Sequence, residues 1–289
     1  MEQNKFYTLV TGASDGFGKA LAIECGRRKQ NLILVALPGP ELGHLANFIR
    51  KNFLVDVYSF EKDLARESEC YDLHLQVIDL GLRINTLINN AGIGSTQLFT
   101  DSSPEFLNKQ IRLNVLATTL LTSLFVPELK KNAPANILNV GSLCSFFYLP
   151  KKQVYGATKS FIFSFSKSLH RELKHDHVSV SVVCPGGMNT NFQVSLLNRT
   201  GNFISRLTIQ NPERVAPFVL TKMAQGKEVI IPGYLNRIST LLNGLLPGCI
   251  KALFTDRLMN DLRPQRDPLS GTVTSRSLPA LLRALPIHF

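Results

Sequence analysis

The feature that most constrains the fold of this chain is the alternation of short apolar runs with longer amphipathic stretches between Phe6 and Val183. The apolar runs are rich in Val, Ile, Leu and aromatic residues, as are strands buried on both faces of a sheet: FYTLV, NLILVAL, VDVYSF, TLINNAG, ANILNV and VSVSVV. Segments such as KALAIECGRR and DLHLQVIDLGLR lie between them. Because strands that alternate with helices are joined by right-handed crossovers, the pattern predicts an α/β fold with a doubly wound parallel sheet.

Composition and charge exclude several other classes of protein. With 289 residues, 44% of them hydrophobic, the chain is long enough to bury a sizeable core. The net charge of +11 is spread out, without a Lys/Arg block interleaved with aromatics, so no nucleic-acid partner is expected. An anionic cofactor, an anionic substrate or a membrane surface accounts for the charge equally well. The five cysteines lack CxxC spacing, which argues against a disulfide framework and against a zinc site.

Targeting signals are not expected either. The first residues enter an apolar strand without the basic and long apolar regions of a signal peptide, and no run approaches the ~18 apolar residues of a membrane-spanning helix. We therefore predict a cytoplasmic protein, with peripheral attachment to a membrane surface as an alternative.

A glycine-rich turn, TGASDGFG, follows the first apolar run and contains Gly12, Gly16 and Gly18. Glycines allow the backbone to approach a pyrophosphate, and the N-terminus of the following helix offers free N–H groups and a positive dipole. Ligands of doubly wound sheets bind at this end of the strands. The Gly-x-x-x-Gly-x-Gly spacing is one residue longer than the common dinucleotide fingerprint, so alone it is equally compatible with a structural turn.

The segment YGATKS places Tyr155 and Lys159 four residues apart, on one face of a predicted helix. An ammonium beside a phenol lowers the tyrosine pKa from about 10, so that the tyrosine can exchange a proton with a substrate oxygen. Ser142, 13 positions earlier, follows the strand ANILNV, where its hydroxyl can bond the same oxygen. Taken alone, Tyr155 and Lys159 could equally be exposed residues on the surface of a helix. Asn114 alone could equally be a core asparagine whose hydrogen bonds are satisfied within the protein.

Together and in this order, the motifs resemble those of the short-chain dehydrogenase/reductase family over roughly residues 6–255. The matching pieces are TGASDGFG (11–18), Asp63, NNAG (89–92), Asn114, Ser142, YGATK (155–159) and PGGMNT (185–190). The resemblance implies a Rossmann-type fold, assembly as a homodimer or homotetramer, and NAD(P)-dependent interconversion of a carbonyl and a secondary alcohol.

The resemblance also implies roles for individual residues. Tyr155 is the expected general acid/base, Ser142 the group that stabilises the substrate oxygen, Lys159 the group that lowers the tyrosine pKa and binds the nicotinamide ribose, and Asn114 the holder of a relay water. The implied cofactor-binding residues are Gly12, Ser14, Asp15, Gly16, Phe17, Gly18, Asp63, Asn90, Ala91, Gly92, Tyr155, Lys159, Pro185, Gly186 and Thr190. In that set the glycine turn borders the pyrophosphate, Asp63 and Asn90 meet the adenosine side, and the 185–190 segment flanks the nicotinamide.

The sequence departs from the family pattern at the positions that select the cofactor. Leu37 and Pro38 follow the second strand, where an acidic residue would favour NAD and a basic one NADP. Asp15 stands in the turn where some relatives carry a basic residue, and Lys19 or Arg27 is a candidate to compensate it. We favour NADP(H) over NAD(H) because the motif set resembles reductase-like members.

The serine loop departs from the pattern as well. Gly141 stands where a serine is frequent, and Ser145 is a second candidate for the role of Ser142. Ser145 is only ten positions before Tyr155, so Ser142 is preferred.

The expected substrate is hydrophobic. The segments predicted to line the pocket, LCSFFYLP (143–150) and MNTNFQVSLLN (188–198), are apolar and aromatic, which favours a fatty acyl, steroid-like or other greasy carbonyl over a sugar. A catalytically silent dinucleotide-binding regulator is the alternative from another class.

Residues 1–262 are predicted to form one domain, and 263–289 a flexible or non-native tail. Within the domain, 238–254 is an apolar helical segment that Pro247 and Gly248 split. The apolar character of this segment is explained by a helix pair that packs on the domain or on a partner subunit. It is also explained by a helix that binds a membrane surface or lines the substrate pocket.

Overall fold

The computed structural model describes residues 5–188 and 209–245. Within these residues seven strands form one parallel sheet in the order β3-β2-β1-β4-β5-β6-β7. The strands are β1 Tyr7–Thr11, β2 Asn31–Ala36, β3 Val57–Glu61, β4 Ile84–Asn89, β5 Ala135–Val140, β6 Val178–Val183 and β7 Val229–Ile230. The predicted doubly wound, Rossmann-type sheet is confirmed.

Helices connect the strands. They are α1 Gly16–Arg27, α2 Pro40–Phe53, α3 Glu67–Asp79, α4 Pro104–Ile111, α5 Thr118–Lys131, α6 Gln153–Glu172, α7 Pro212–Ala224 and α8 Tyr234–Leu245. A π-helical turn, Arg112–Ala117, joins α4 to α5, so that residues 104–131 form one helical run with a widened turn in its middle. Such turns are uncommon and frequently lie at functional sites.

The helices cover both faces of the sheet. Alternate strand residues point to opposite faces, so Val10 and Leu32 pack with α1, α2 and α7 while Leu9 and Ile33 pack with α3 and α5. On this second face α6 contributes Ile162, which packs against Val182 of β6. The central strands are buried on both sides, which explains why their sequences are almost continuously apolar.

The C-terminal part differs from the prediction in its boundaries. The last strand of the sheet, Val229–Ile230, has only two residues, and α8 begins at Tyr234 rather than Ile238. The predicted apolar segment 238–254 is described only as far as Leu245, and the 263–289 tail lies outside the described residues. In the described part of the chain, no helix is both long enough and apolar enough to cross a lipid bilayer.

The strand order determines where a ligand can bind. β1 pairs with β2 on one side and with β4 on the other, and the connections that leave the carboxyl ends of β1 and β4 run in opposite directions. The crevice that opens at such a point is the usual ligand site of doubly wound sheets. The glycine turn, the 89–92 segment and Ser142 all follow strands that end at this edge.

Candidate active site

The glycine turn brings two stretches of backbone into contact. Gly12 has φ +64°, a left-handed conformation that disfavours other residues. A Cβ added to Gly18 would lie 2.0 Å from the carbonyl oxygen of Gly12, which leaves no room for any side chain. The turn therefore closes tightly at the carboxyl end of β1 and presents the N-terminus of α1 at the sheet edge, where an anion is stabilised by free N–H groups.

Asn90 fastens this turn to the neighbouring strand. Its Nδ2 donates to the carbonyl oxygens of Thr11 (2.9 Å) and Gly12 (3.1 Å). In return, the Thr11 hydroxyl oxygen accepts from the backbone N–H groups of Asn90 (2.9 Å) and Ala91 (3.0 Å). The side-chain amide of Asn90 is thus engaged within the protein and shapes the turn, and its predicted contact with adenosine stays a prediction.

Asp15 lies at the N-terminus of α1 and caps it. Its Oδ1 accepts from the backbone N–H of Gly16 at 2.7 Å, and the side chain is exposed. A carboxylate at this end of a helix is stabilised by the helix dipole. Two residues later, Phe17 is buried in the core, so only its backbone faces the turn. Ser14 lies between, partly buried.

The region after β2 carries carboxylates that sequence reasoning missed. Glu61, the last residue of β3, accepts from the backbone N–H of Gly39 at 3.3 Å. Glu41 is close as well, because a Cβ added to Gly39 would lie 2.8 Å from its Oε2. Leu37 is exposed there and provides no charge. Carboxylates of neighbouring elements therefore lie near the end of the second strand, where Leu37 and Pro38 provide none, and the sheet order β3-β2 brings Glu61 there.

Asp63 follows β3 and lines an open cavity of about 430 Å³ beside α4. Its Oδ1 accepts from the backbone N–H of Ala65 at 3.2 Å. The cavity is lined by Asp63, Ala65, Pro104, Glu105, Asn108, Lys109 and Arg112. The predicted role of Asp63 at the adenine stays a prediction.

Ser142 and Tyr155 meet beyond the end of β5. Ser142 is buried, and its Oγ accepts from the backbone N–H of Cys144 at 3.1 Å. Its side chain also acts to lower the pKa of Tyr155. Burial of the phenol raises that pKa by more, so the net direction is upward. The lowered pKa predicted from Lys159 is therefore wrong for the structure as described, because desolvation outweighs the other influences.

Lys159 is buried one helical turn after Tyr155. Its Nζ donates to the carbonyl oxygen of Val140 at 2.8 Å and lies 5.8 Å from the centroid of the Tyr155 ring. Burial lowers the pKa of Lys159 to about 8, since a charged amine loses its hydration there. An amine with this pKa exchanges protons readily near neutral pH.

Asn114 lies in the π-helical turn and is buried. Its Oδ1 accepts from the N–H of Ile93 (2.9 Å), and its Nδ2 donates to the carbonyl oxygen of Ile93 (2.9 Å) and to the Thr158 hydroxyl (3.1 Å). A Cβ added to Gly92 would lie 3.0 Å from Asn114 Oδ1 and 3.5 Å from Lys159 Nζ. The structure thus brings Asn114 and Lys159 to the same loop, and the relay water stays a prediction.

The remaining predicted residues are only partly described. Pro185 and Gly186 follow β6, and the carbonyl oxygen of Pro185 accepts from the N–H of Leu143, which joins them to the serine loop. Thr190 lies outside the described residues. The hydroxyl of Ser145 donates to the carbonyl oxygen of Lys159 at 2.8 Å and thereby braces α6, which supports the preference for Ser142.

The apolar segment 143–150 borders this site. Tyr148 is 95% exposed, and Asn243 of α8 donates to the carbonyl oxygen of Phe146 at 2.7 Å, so α8 lies against the segment. Leu241 and Leu242 of the same helix are exposed. The second predicted pocket segment, 188–198, is described only at Met188.

Comparisons with known proteins agree with this arrangement. The family model described as short chain dehydrogenase matches residues 7–200. The very-long-chain 3-oxoacyl-CoA reductase of Coprinopsis cinerea is 32% identical over 219 residues, which are 75% of this chain and 62% of that protein. The chain therefore spans less than two thirds of the length of that curated relative. The corresponding B-form reductase of Danio rerio is 27% identical over 259 residues, 88% of this chain and 76% of that protein.

A solved structure is similar over nearly the whole chain. The short-chain dehydrogenase from Sphingobium yanoikuyae, in complex with NADPH, superposes with a TM-score of 0.73 and 26% sequence identity. The superposition covers 94% of this chain and 100% of that one.

Proposed function

Because this chain belongs to the short-chain dehydrogenase family, we propose that it is an NAD(P)-dependent oxidoreductase that interconverts a carbonyl and a secondary alcohol, with Tyr155 as the general acid/base. The observation that carries the proposal is that the structure brings Ser142, Tyr155 and the buried Lys159 together: the Ser142 side chain acts on the pKa of Tyr155, and the Nζ of Lys159 lies 5.8 Å from the centroid of the tyrosine ring. Ser142 follows β5 whereas Tyr155 and Lys159 lie on α6, and the three side chains converge at the sheet edge to which the glycine turn also belongs.

The residues present fit a nicotinamide dinucleotide. The N-terminus of α1, where Asp15 caps the N–H of Gly16, lies beside a turn in which Gly12 and Gly18 leave only backbone, and the loop after β4 is glycine-rich where it passes Lys159. In the proposal, Gly12, Ser14 and Gly16 hold the pyrophosphate and Lys159 the nicotinamide ribose. Asp63 and the 90–92 segment hold the adenosine side, and Pro185, Gly186 and Thr190 the nicotinamide. When bound, the cofactor supplies or accepts a hydride at the carbonyl carbon.

The chain's own residues handle the oxygen of the substrate. In reduction, Ser142 donates a hydrogen bond to the carbonyl oxygen and Tyr155 transfers its phenolic proton to that oxygen as negative charge develops. Burial keeps the phenol protonated before the reaction, which suits a proton donor. Lys159, with a pKa near 8, then stabilises the phenolate and passes a proton toward it. Oxidation follows the same path in reverse.

We propose NADP(H) as the cofactor in preference to NAD(H). The support is the NADPH complex of the Sphingobium protein, which aligns over almost all of this chain. The carboxylates of Glu41 and Glu61 near Gly39 act in the opposite direction, because they repel a phosphate on the adenosine ribose. Parallel fluorescence titrations with NADPH and NADH decide between the two.

We propose a hydrophobic substrate, and within that class a 3-oxoacyl thioester with a long alkyl chain. The support is the name of the relatives, very-long-chain 3-oxoacyl-CoA reductase, together with the aromatic segment 143–150 beside Ser142. A long alkyl chain gains roughly 0.8 kcal/mol for each CH₂ that it buries, so activity should rise with chain length.

The experiment combines a substrate series with one variant. Oxidation of NADPH is followed with 3-oxoacyl thioesters of increasing length, with bulky ketones and with a steroid ketone. We expect turnover that improves with apolar surface, and we expect Tyr155→Phe to abolish turnover while the dissociation constant for NADPH stays within a few-fold of the wild-type value. Turnover by Tyr155→Phe close to the wild-type rate would refute the role of Tyr155. Tight NADPH binding without turnover of any carbonyl would favour the silent regulator.

A second candidate role, contact with a membrane surface, is favoured by one observation. Tyr234, Leu235, Leu241 and Leu242 of α8 are all exposed, and Arg237 adds positive charge to the same helix. We expect sedimentation with anionic vesicles at low salt and its loss on Leu241→Ser/Leu242→Ser. Wild-type protein that stays in the supernatant would contradict this role.

Assembly and domain extent are also proposals. We propose that residues 1–262 form one domain and that the chain assembles as a homodimer or homotetramer, in line with the family resemblance. Light scattering on a chromatographed sample measures the mass directly, and a monomer would contradict the assembly.

A further inference from the structure

A second lysine lies against the catalytic tyrosine, and nothing in the motif pattern assigns it a role. Lys152 directly precedes α6, three residues before Tyr155. Its Nζ donates to the hydroxyl of Thr96 at 2.8 Å and to the carbonyl oxygen of Ser95 at 3.1 Å. The same Nζ lies 5.4 Å from the centroid of the Tyr155 ring, slightly nearer than the Nζ of Lys159. One ammonium thus contacts both the loop after β4 and the phenol.

We propose that Lys152 is a positioning residue for Tyr155, which fastens the loop 92–97 against the tyrosine ring and provides a second positive charge beside the phenol. The proposal rests on the proposed function of Tyr155. It adds a residue that the motifs do not contain.

The contacts of the loop 92–97 support the first half of the proposal. A Cβ added to Gly94 would lie 3.5 Å from Cε2 of Tyr155, so the loop backbone runs directly along the ring. The N–H of Gln97 donates to the carbonyl oxygen of Lys151 at 2.9 Å, and Ser95 and Thr96 are buried. The start of the loop is held by Asn114 through Ile93, and its other end by Lys151 and Lys152. Two further side-chain bonds, Gln110 to Ser95 and Gln97 to Ser102, add to the second group.

The charges around Tyr155 support the second half. The titratable groups that face the phenol are Lys152, Lys159 of α6, Cys144 after β5 and Cys184 after β6. The residues that the loop after β4 places at the ring or on Lys152 are Gly94, Ser95 and Thr96, none of which titrates. An opposite charge at about 4–6 Å moves a pKa by about one to three units toward the charged form. In the proposal, the positive charge of Lys152 beside the ring favours the phenolate and so acts against burial, which raises the pKa of Tyr155 and lowers the pKa of Lys152 itself.

The test compares Lys152→Met, Lys152→Arg and a matched control, Lys167→Met. Lys167 lies on the same helix with its Nζ 5.6 Å from the centroid of Phe163, so it makes the same kind of contact away from the site. The first measurement is backbone hydrogen exchange in the peptide that covers 92–97. The second is the pH dependence of carbonyl reduction at saturating NADPH, which falls at high pH as Tyr155 loses its proton.

We expect exchange at 92–97 to become about tenfold faster in Lys152→Met, as for a lost hydrogen bond to a charged group. The high-pH fall in reduction should move upward by about one pH unit, because phenolate without the neighbouring cation is less stable. Lys152→Arg should keep the wild-type pH profile, and Lys167→Met should leave both measurements unchanged.

Two results would overturn the proposal: exchange in Lys152→Met that equals the wild-type rate, or a pH profile that does not move. A wild-type protein that reduces none of the carbonyls would instead contradict the proposed function. The exchange measurement still decides in that case whether Lys152 holds the loop, so the two failures are distinguishable.

Discussion

Substitution of Gly18 by alanine tests the construction of the glycine turn. The added Cβ would lie 2.0 Å from the carbonyl oxygen of Gly12, 2.4 Å from Nδ2 of Asn90 and 2.8 Å from the carbonyl carbon of Gly12. All three contacts are shorter than carbon atoms tolerate, and two involve backbone that cannot rotate away. The turn must therefore open, which also breaks the hydrogen bonds from Asn90 to Thr11 and Gly12.

The magnitude follows from these contacts. Overpacking costs typically about 1–3 kcal/mol, and each disrupted buried hydrogen bond adds roughly 1 kcal/mol. We expect the free energy of unfolding to fall by about 3 kcal/mol. The affinity for NADPH should fall at least tenfold, which corresponds to about 1.4 kcal/mol.

Gly43→Ala is the matched control for this substitution. Gly43 lies inside α2, and a Cβ added there meets nothing within 4 Å. Because glycine is about 1 kcal/mol less favourable than alanine in a helix interior, this variant should be slightly more stable than the wild type and bind NADPH equally well. Urea denaturation and fluorescence titration at 25 °C measure both quantities. A Gly18→Ala protein with wild-type stability and wild-type affinity would refute the steric argument.

Two further predictions concern charge. Lys159 has a pKa of about 8 in the folded protein and an ordinary lysine pKa when unfolded, so the unfolded state binds more protons between these values and stability should rise from pH 8 to about 10. Lys159→Met should flatten that rise by roughly 2 kcal/mol in denaturation curves measured across the range, and a parallel rise in both proteins would contradict the burial of the charge. Glu61→Gln should strengthen NADPH binding relative to NADH, because it removes a carboxylate beside Gly39. Equal ratios of the two dissociation constants in Glu61→Gln and wild type would show that Glu61 does not face the adenosine ribose.

Much of the fold was predictable from local patterns. The strand ANILNV is β5 without any change of boundary, and Pro212 begins α7. Both depend on short-range physics, namely a short continuous apolar run for a strand buried on both faces and the tolerance of proline at a helix start. The weakest prediction was the helix at 238, which begins at Tyr234, because sequence marks helix ends less sharply than helix faces.

The sequence predicted which residues form the candidate site, but it did not predict their pKa values. Tyr155, Lys159 and Ser142 were identified from spacing, and the structure brings them together. The predicted direction of the shift in the Tyr155 pKa was wrong. The helical spacing indicates that a cation lies near the phenol, but it does not indicate how much water the phenol loses on folding. Lys152 escaped notice because its contacts, Ser95 and Thr96, are more than fifty residues away in the chain.

The sequence by itself determined the order of strands and helices, the turn that only glycines can make, and the residue types at the site, because each of these depends on neighbours within about a dozen positions. Only the tertiary structure decided the burial of each of those residues and the charges that lie near it. It packs Tyr155 beside the buried Lys159, and it places Glu61 of one strand beside the turn that follows another. Burial and long-range proximity control charge, and they exist only once the sheet has assembled.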